Sequence, residues 1–265
     1  GPDILGVCEV ENKPVLEKLL SKIIIVGRKY EIAHHDCKDK RGIDVAFIYD
    51  SEKFEIKDKV KDIFSYEVLK RTATRDLFQV NFKTKYKNND LIVIGNHWPS
   101  RNGGVYMTEP YRILAAETLA YFHVRIKQIM DKNTNIIILG DFNDEPFDRS
   151  LNEYALSSRS KQKVLRSKMT LRLFNLMWPL MEQGLGTYYF KNFPYTLDQI
   201  LVSKNFLKDN KPFSFKADSV EIIQFKEMVT GTYNVPRPFG RPSRKSLDRD
   251  GYSDHFPIGV LITEK

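Results

Sequence analysis

Apolar residues occur along the chain in short runs separated by polar segments, a pattern typical of a domain rich in β-strands. The run at 91–95 is apolar at nearly every position, as expected of a strand covered on both faces. A run around Val7 likewise predicts a buried first strand. The remaining runs predict strands at 45–49, 77–82, 135–139, 197–202 and 256–262.

Two segments between these runs predict helices. One lies near 14–21, where Pro14 suits the first turn. The other spans 110–130, with Thr108 as its N-cap. Its apolar stripe consists of Ile113, Ala116, Leu119, Ala120, His123, Val124 and Ile126. Because strands alternate with helices and no repeat or long linker interrupts 1–265, the pattern predicts one α/β sandwich with functional loops at strand ends.

Composition places the chain among globular proteins. Of its 265 residues, 42% are hydrophobic and 29% are charged, which is too apolar for a disordered chain. Lys and Arg number 42 against 34 Asp and Glu, giving a net charge of +8. Such a surface attracts nucleic acid, anionic membranes or phosphorylated substrates without choosing among them. Cys8 and Cys37 are too few for a disulfide framework or a cysteine zinc site.

The same hydrophobic pattern bears on membrane association and on the start of the chain. No apolar run approaches the roughly 20 residues of a membrane span. No lipid-insertion helix or long exposed apolar loop is evident, so we expect no stable membrane insertion and a monomer. The chain opens without Met directly before the predicted strand, so we expect the natural N-terminus to lie upstream. A cytoplasmic and an exported location therefore both stay open.

Polar residues stand at or beside the ends of the apolar strands. Hydrolysis of a phosphate ester needs a hard cation with oxygen ligands, a base that activates water and donors to the phosphate oxygens. Each segment alone also fits a turn, a cap or a solvated strand edge; the order of all five is the specific signal. The segments are Glu9-Val10-Glu11-Asn12, Asn96-His97-Trp98-Pro99-Ser100-Arg101, Gly140-Asp141-Phe142-Asn143, Leu197-Asp198-Gln199-Ile200 and Ser253-Asp254-His255.

In this order the segments resemble the endonuclease/exonuclease/phosphatase superfamily, which has the deoxyribonuclease I-like fold. The resemblance covers essentially the whole chain, and its most diagnostic motifs are Gly140-Asp141-Phe142-Asn143 and Ser253-Asp254-His255. The segments Arg41-Gly42-Ile43-Asp44-Val45-Ala46 and His97-Trp98-Pro99-Ser100-Arg101 are similar to a bacterial branch. The resemblance implies a four-layer α/β sandwich, with two packed and mostly antiparallel sheets flanked by helices.

The resemblance also implies a metal-dependent phosphoesterase that uses Mg²⁺, or Mn²⁺, and attacks the phosphate in line with water. Glu9 and Asp254 would be metal ligands. His255 would be the general base, held by Asp198 as a carboxylate–imidazole pair. A base at Asp141 is the open alternative.

The remaining site residues follow from the same resemblance. His97 would stabilise the phosphate or protonate the leaving oxygen, with Asp44 as its orienting partner. Asp141 and Asn143 would position the water and the scissile phosphate. The family's first strand carries a metal-binding Asn that has no counterpart in 1–265. We therefore expect an upstream strand that pairs beside 3–7 and supplies it, and weak Mg²⁺ binding without that strand.

Substrate identity rests on weaker signals. Trp98 and Arg101 are candidate substrate-binding residues at the rim of the site, whereas His34 and His35 fit ordinary surface or edge positions. Aromatic residues between 188 and 195 suit either base stacking or core packing. Two basic runs suit a nucleic-acid backbone; they contain Arg159, Lys161, Lys163, Arg166, Lys168 and Arg172, and Arg237, Arg241, Arg244, Lys245 and Arg249.

These signals favour a nuclease. A phosphatase or phospholipase acting on a phosphorylated small molecule, a lipid head group or an inositol phosphate is the alternative, because one fold hosts several activities. A catalytically silent binding module is the third interpretation. The predicted site residues argue against that last interpretation, while the absent Asn argues for it.

Overall fold

The computed structural model describes residues 1–68, 74–131, 134–168, 171–240 and 247–265. The described helices are α1 (Lys13–Leu20), α2 (Val105–Ile129), α3 (Lys161–Arg166) and α4 (Trp178–Glu182). The described strands are β1 (Ile4–Val10), β2 (Tyr30–His34), β3 (Asp44–Asp50), β4 (Phe54–Glu55), β5 (Ile63–Tyr66), β6 (Leu77–Thr84), β7 (Asp90–His97), β8 (Asn135–Asp141), β9 (Ser157–Ser158), β10 (Leu173–Asn175), β11 (Tyr188–Phe190), β12 (Phe193–Tyr195), β13 (Asp198–Ser203), β14 (Phe213–Phe215), β15 (Glu221–Ile222), β16 (Val229–Thr230), β17 (Val235–Pro236), β18 (Ile258–Gly259) and β19 (Ile262–Glu264).

Two sheets carry most of these strands. The first is three-stranded with the order β1-β3-β2, and both of its pairings are antiparallel. The second is eight-stranded with the order β4-β6-β7-β8-β13-β10-β9, and β5 also pairs with β6. Within it, β7 and β8 run parallel, while β6–β7 and β8–β13 are antiparallel. The parallel pair requires a crossover between its strands, and α2 supplies it.

Alternation along the central strands stacks these elements in four layers. In β3, Val45, Phe47 and Tyr49 pack against the second sheet, whereas Ala46 and Ile48 pack against α1. The same period of two in β8 turns Ile137 towards the first sheet and its neighbours towards α2. The layers are therefore α1, the three-stranded sheet, the eight-stranded sheet and α2. This arrangement confirms the predicted α/β sandwich.

Both predicted helices exist, but the long one begins earlier than expected. In α1, the Asn12 side chain accepts a hydrogen bond from the Val15 N–H at 3.1 Å and caps the helix. In α2, the N-cap is Gly104 rather than Thr108, and the Thr108 N–H already donates to the Gly104 carbonyl at 3.1 Å. Pro110 lies inside the helix. Proline is favoured near a helix start but does not fix the first residue.

Three further expectations about the chain need correction. The segment predicted as one strand at 256–262 is divided, because β18 pairs with β15 and β19 pairs with β14. Strand β1 is mostly half-buried and stands at the edge of its sheet in the described pairing. An exposed apolar loop does exist between α1 and β2, where Ile24 and Val26 are 90% and 97% exposed.

Cys8 and Cys37 are both free thiols. Among the described residues, no helix combines the length and the apolar character needed to cross a bilayer.

Candidate active site

Strand register brings the central polar residues side by side at one edge of the eight-stranded sheet. The parallel pairing of β7 with β8 sets His97 opposite Asp141. The antiparallel pairing of β8 with β13 sets Asp198 opposite the same Asp141. Adjacent strands lie about 4.8 Å apart, so the three residues form one continuous row. These residues, which are distant in the sequence, are neighbours because three apolar strands end at the same level.

Asp198 and His255 form the predicted carboxylate–imidazole pair. The His255 Nδ1 lies 2.6 Å from the Asp198 Oδ2. Burial opposes protonation of this ring, but Asp198, Asp141 and Asp254 together raise the pKa of His255 to about 10. His255 is therefore an imidazolium at neutral pH, with Nδ1–H donated to Asp198. A protonated ring can donate a proton or stabilise an anion, but it cannot accept a proton from water.

Asp141 is an acid whose pKa is raised towards neutrality. Its carboxylate accepts hydrogen bonds from the Asn143 N–H and Nδ2–H, each at 2.8 Å. Burial and the nearby Asp198 raise the pKa of Asp141 to about 7. Asp141 and His255 thus have pKa values displaced in a way that suits a base and an acid in one site.

The turn after β8 depends on two unusual backbone positions. Gly140 has a φ of +131°, and a Cβ there would lie 2.0 Å from the Asn96 carbonyl oxygen. Asn143 has a φ of +50°, a left-handed conformation that Asn tolerates better than most residues. The Asn143 Nδ2 also donates to the Trp98 carbonyl at 3.0 Å, which ties the turn to the end of β7.

His97 is buried beside this turn and is neutral. Its Nε2 lies 3.6 Å from the Asp141 Oδ2. Burial, followed by the positive charges of Arg75 and Arg41, holds the pKa of His97 well below its usual range. Its Nδ1 has no hydrogen-bond partner among the described residues.

The prediction that Asp44 orients His97 is wrong. The Asp44 Oδ2 lies 2.9 Å from the His34 Nε2, and its Oδ1 accepts the Cys37 N–H at 2.9 Å. His34 stands on the edge strand β2, as one of its two expected positions requires, but its side chain is buried and is not an ordinary surface group. Strand pairing explains both results, since β2 sets His34 opposite Ala46, close to Asp44, within the first sheet.

Trp98 does not lie on the rim. It is only 1% exposed, and its ring packs edge to face against Phe142 with centroids 4.7 Å apart. The Trp98 Nε1–H donates to the Asn96 Oδ1 at 3.0 Å. Immediately after β7 the indole enters the core between the second sheet and α2. Trp98 therefore packs beneath the site and does not face the cleft.

Arg101 lines the cleft, but its guanidinium group already contacts other protein groups. Its Nε–H donates to the Asn143 carbonyl at 2.7 Å, and its Nη2 contacts Asp144 and Asp148 at 3.1 and 2.6 Å. The guanidinium also lies 5.6 Å from the centre of the Tyr195 ring. These contacts hold the turn at Asn143, and the substrate-binding role of Arg101 stays a prediction.

All the other predicted site residues meet in one open cleft of about 2870 Å³. Aromatic residues from the 188–195 segment lie there too, and the Tyr188 ring packs against His255 with centroids 4.9 Å apart. The residues that the sequence predicted and that line this cleft are Glu9, His97, Asp141, Asn143, Asp198, Asp254 and His255.

The basic runs contribute less to this cleft than expected. None of the six basic residues between 159 and 172 lines it, and Arg159 pairs with Glu182 at 2.9 Å. In the second run, Arg237 pairs with Asp248 at 2.7 Å. The predicted residues Arg241, Arg244 and Lys245 lie outside the described residues.

Acidic residues are positioned to bind a metal at this site. One ligand atom from each of Asp141, Asp198 and His255 lies within 4.8 Å of the others, whereas Glu9 and Asp254 line the cleft outside this cluster. A hard cation suits the carboxylate oxygens. The raised pKa of Asp141, caused by burial and by Asp198, reveals buried negative charge that a cation would neutralise. The residues present therefore fit a divalent cation.

Sequence reasoning gave no site role to three residues that line the cleft, namely Arg75, Arg41 and Asp39. Arg75 is 6% exposed; its Nη2 donates to the Trp98 carbonyl at 2.7 Å, and its Nη1 lies 3.3 Å from the Asp39 Oδ2. The Arg41 Nη1 lies 3.4 Å from the Glu9 Oε1. A charged pair directly before an apolar strand, Arg75-Asp76, was the available signal for the first of these.

Solved structures with a similar fold come from several kinds of protein. The catalytic domain of human nocturnin, solved with a sulfate anion, has a TM-score of 0.61 at 18% identity, covering 100% of this chain and 82% of that one. The Bacteroides thetaiotaomicron mannosyl-6-phosphatase has a TM-score of 0.58 at 18% identity, covering 98% and 85%. D. rerio TDP2, solved with a single-strand DNA product, has a TM-score of 0.62 at 12% identity, covering 99% and 86%.

No curated protein sequence matches the chain. A family model described as "Endonuclease/Exonuclease/phosphatase family" matches residues 1–264, essentially the whole chain. This match agrees with the order of the five polar segments and with the shared fold. The chain therefore belongs to the endonuclease/exonuclease/phosphatase family.

Proposed function

We propose that the protein is a divalent-metal-dependent phosphodiesterase that cleaves phosphate esters of nucleic acid by in-line attack of water. The observation that carries the proposal is the row of His97, Asp141 and Asp198, with His255 joined to Asp198 at 2.6 Å. This row combines a carboxylate whose pKa is about 7 with an imidazole whose pKa is about 10. The pKa of the carboxylate suits proton transfer near neutral pH, whereas the imidazole stays protonated there and suits stabilisation of phosphate charge.

Asp141 is the better candidate for the general base. Burial and Asp198 give it a pKa close to neutrality, so it can accept a proton from water and be regenerated. The Asn143 amide holds the carboxylate through its Nδ2–H and fixes its orientation. Of the two candidate bases, Asp141 is preferred to His255, because the pKa of about 10 leaves the His255 ring protonated at neutral pH.

His255 and His97 act on the phosphate. The His255 imidazolium, aligned by Asp198, stabilises the charge that develops on the phosphoryl oxygens or protonates the leaving oxygen. His97 is neutral and donates one hydrogen bond to the same group. Electrostatic stabilisation of this kind contributes about 10²- to 10³-fold in turnover for each donor.

Glu9 and Asp254, whose carboxylates line the cleft, would hold the cation, which leaves Asp141 free to act as the base. Mg²⁺ is the proposed ion and Mn²⁺ its substitute, since carboxylate oxygens suit both. When bound, the ion neutralises phosphate charge and helps to orient the ester.

Nucleic acid is the proposed substrate for three reasons. The cleft contains Tyr188, Phe190 and Tyr195, whose rings can stack on bases, and the chain is basic overall. The similar D. rerio TDP2 was solved with a single-strand DNA product. A phosphatase is the second candidate, favoured by the similarity to a mannosyl-6-phosphatase.

A substrate panel tests the proposal. Purified protein is incubated with single- and double-stranded DNA, RNA, sugar phosphates, inositol phosphates and phospholipids, each with Mg²⁺, with Mn²⁺ and with a chelator. The Asp141→Asn variant serves as the background control. We expect metal-dependent cleavage of nucleic acid that the variant loses. Cleavage of phosphomonoesters alone would establish the phosphatase instead, and no turnover of any ester would refute a hydrolase.

A further inference from the structure

A short loop at the mouth of the cleft is fixed by two buried carboxylates. This loop, residues 37–43, joins β2 to β3. At one end the Cys37 N–H donates to Asp44, which is itself paired with His34. In the middle the Arg41 N–H donates to the Asp39 Oδ1 at 2.8 Å. Because both carboxylates are buried, the backbone that carries Arg41 is held firmly while its side chain stays 44% exposed.

Two guanidinium groups lie beside one buried carboxylate on this wall of the cleft. Arg75 and Arg41 share Asp39, with Arg75 at 3.3 Å and the Arg41 Nε at 4.0 Å. Burial and then Arg41 lower the pKa of Arg75, so the two guanidinium groups act on each other. The Arg75 Nε is buried and has no hydrogen-bond partner among the described residues. Whenever Arg41 is separated from Glu9, one carboxylate faces two guanidinium groups, and this region attracts an anion.

The remaining partner of Arg41 is Glu9. The two side chains are 3.4 Å apart and both are well exposed, so the pair is easily separated. Glu9 stands at an irregularity in the pairing of β1 with β3 and has a φ of +59°. A cation at the Glu9 carboxylate would compete with the Arg41 guanidinium for the same oxygens.

We propose that Arg41 binds a phosphate group of the ligand and is held by Glu9 when no ligand is present. Metal binding at Glu9 then releases Arg41 for the phosphate, and phosphate binding releases Glu9 for the metal. By linkage, each ligand strengthens the binding of the other through Arg41 by the same factor. The proposal rests on the proposed function for the choice of phosphate as the ligand and for the cation at Glu9.

Binding measurements without turnover test this proposal. Isothermal titration calorimetry on the full chain gives the affinity for Mg²⁺ alone and for inorganic phosphate in the presence of Mg²⁺, in wild type and in Arg41→Gln. We expect the variant to bind Mg²⁺ about 3-fold or more tightly, because Glu9 loses a competing cation. We expect it to bind phosphate about 10-fold or more weakly, because a charge-assisted bond is lost.

Lys38→Gln is the matched control. It removes the same charge from the same loop, but Lys38 points to Glu67 at 2.8 Å and does not line the cleft. Both affinities should stay within about 2-fold of wild type, since exposed pairs contribute little. Arg41→Lys should retain part of the phosphate affinity, because the charge remains while the planar fork is lost.

Opposite shifts in the two affinities are the signature of a shared arginine. If Arg41→Gln leaves both affinities unchanged, or moves both in one direction, the proposal is wrong. Its failure is separable from that of the proposed function, because the substrate panel reports hydrolysis and the calorimetry does not. If the protein hydrolyses a substrate but the two affinities do not shift in opposite directions, only the role of Arg41 is wrong. If the affinities shift in opposite directions but no substrate is hydrolysed, only the proposed enzymatic activity is wrong.

Discussion

Replacing Asp198 by Asn should convert His255 from a permanent cation into a group that titrates closer to neutral pH. The substitution keeps the shape of the side chain and removes its charge. Burial lowers the pKa of His255, and Asp198 is the first of three acids that raise it to about 10. Asp141 and Asp254 remain in the variant, so the pKa falls without reaching the value of an isolated buried imidazole.

The size of the shift follows from the hydrogen bond. At 2.6 Å the contact between Nδ1 and Oδ2 is a charge-assisted bond, and such a bond contributes about 1.5–3 kcal/mol. One pH unit corresponds to about 1.4 kcal/mol, so the pKa of His255 should fall by about 1 to 2 units. In the proposed mechanism the ring of the variant is still protonated at neutral pH but loses the carboxylate that aligns it, so kcat falls about 10²-fold while KM changes little.

NMR titration of the imidazole in the metal-free protein measures the pKa directly, and steady-state kinetics measures the effect on turnover. Asp254→Asn is the comparison, since Asp254 is exposed and is the last of the three acids that raise the pKa. It should shift His255 less than Asp198→Asn does. A wild-type His255 that titrates near 6.5, or an Asp198→Asn shift no larger than that of Asp254→Asn, would refute the electrostatic argument.

Three other substitutions test the fold around the site. Burial lowers the pKa of His123 to about 3. Below about pH 6.5 this histidine is therefore protonated in the unfolded chain but not in the folded chain. The free energy of unfolding then falls by about 1.4 kcal/mol per pH unit until the pH reaches the folded pKa. Between pH 7 and 5, the free energy of unfolding measured in urea should fall by about 2 kcal/mol less in His123→Leu than in wild type. An equal fall in the two proteins would contradict the low pKa. Arg112→Met should cost about 3–5 kcal/mol in the same assay, because its Nε lies 2.7 Å from the buried Asp144 carboxylate; a cost below about 1 kcal/mol would show that the pair is dispensable. Gly140→Ala should lower both stability and turnover, because the new Cβ would collide with the Asn96 carbonyl. Gly184 has open space around it, so Gly184→Ala should have a smaller effect on both. Equal effects of the two substitutions would contradict the steric argument.

The central strands were predictable because their apolar runs are long and continuous. The segments at 91–95 and 135–139 lie within β7 and β8, and each strand extends beyond its run to a polar residue, His97 in β7 and Asp141 in β8. The C-terminal segment at 256–262 was not predictable as two strands, because an apolar run does not reveal how many partners it has. The start of α2 was missed for a related reason, since the Gly104 cap carries no side-chain signal.

The candidate site divides in the same way. The sequence supplied the residues in order, and the pairing of Asp198 with His255 followed from the family pattern. The partner of Asp44 did not, because Asp44 is the first residue of β3 and pairs with His34 on the neighbouring strand β2. Trp98 follows His97 directly, yet the two side chains have different environments: one faces the cleft and the other enters the core.

The sequence alone therefore determined which chemical groups stand at the ends of which strands, because hydrophobic runs and polar breaks are local. Tertiary structure decided the charge state of each group. Asp141 and His255 carry ordinary side chains, and only their burial and mutual distances displace their pKa values to about 7 and about 10. Arg41 and Arg75 joined the cleft in the same way, through contacts with Glu9 and Asp39 that no spacing in the sequence indicates. Electrostatic interactions depend on distance in space and on exclusion of water, and both arise only when the two sheets pack together.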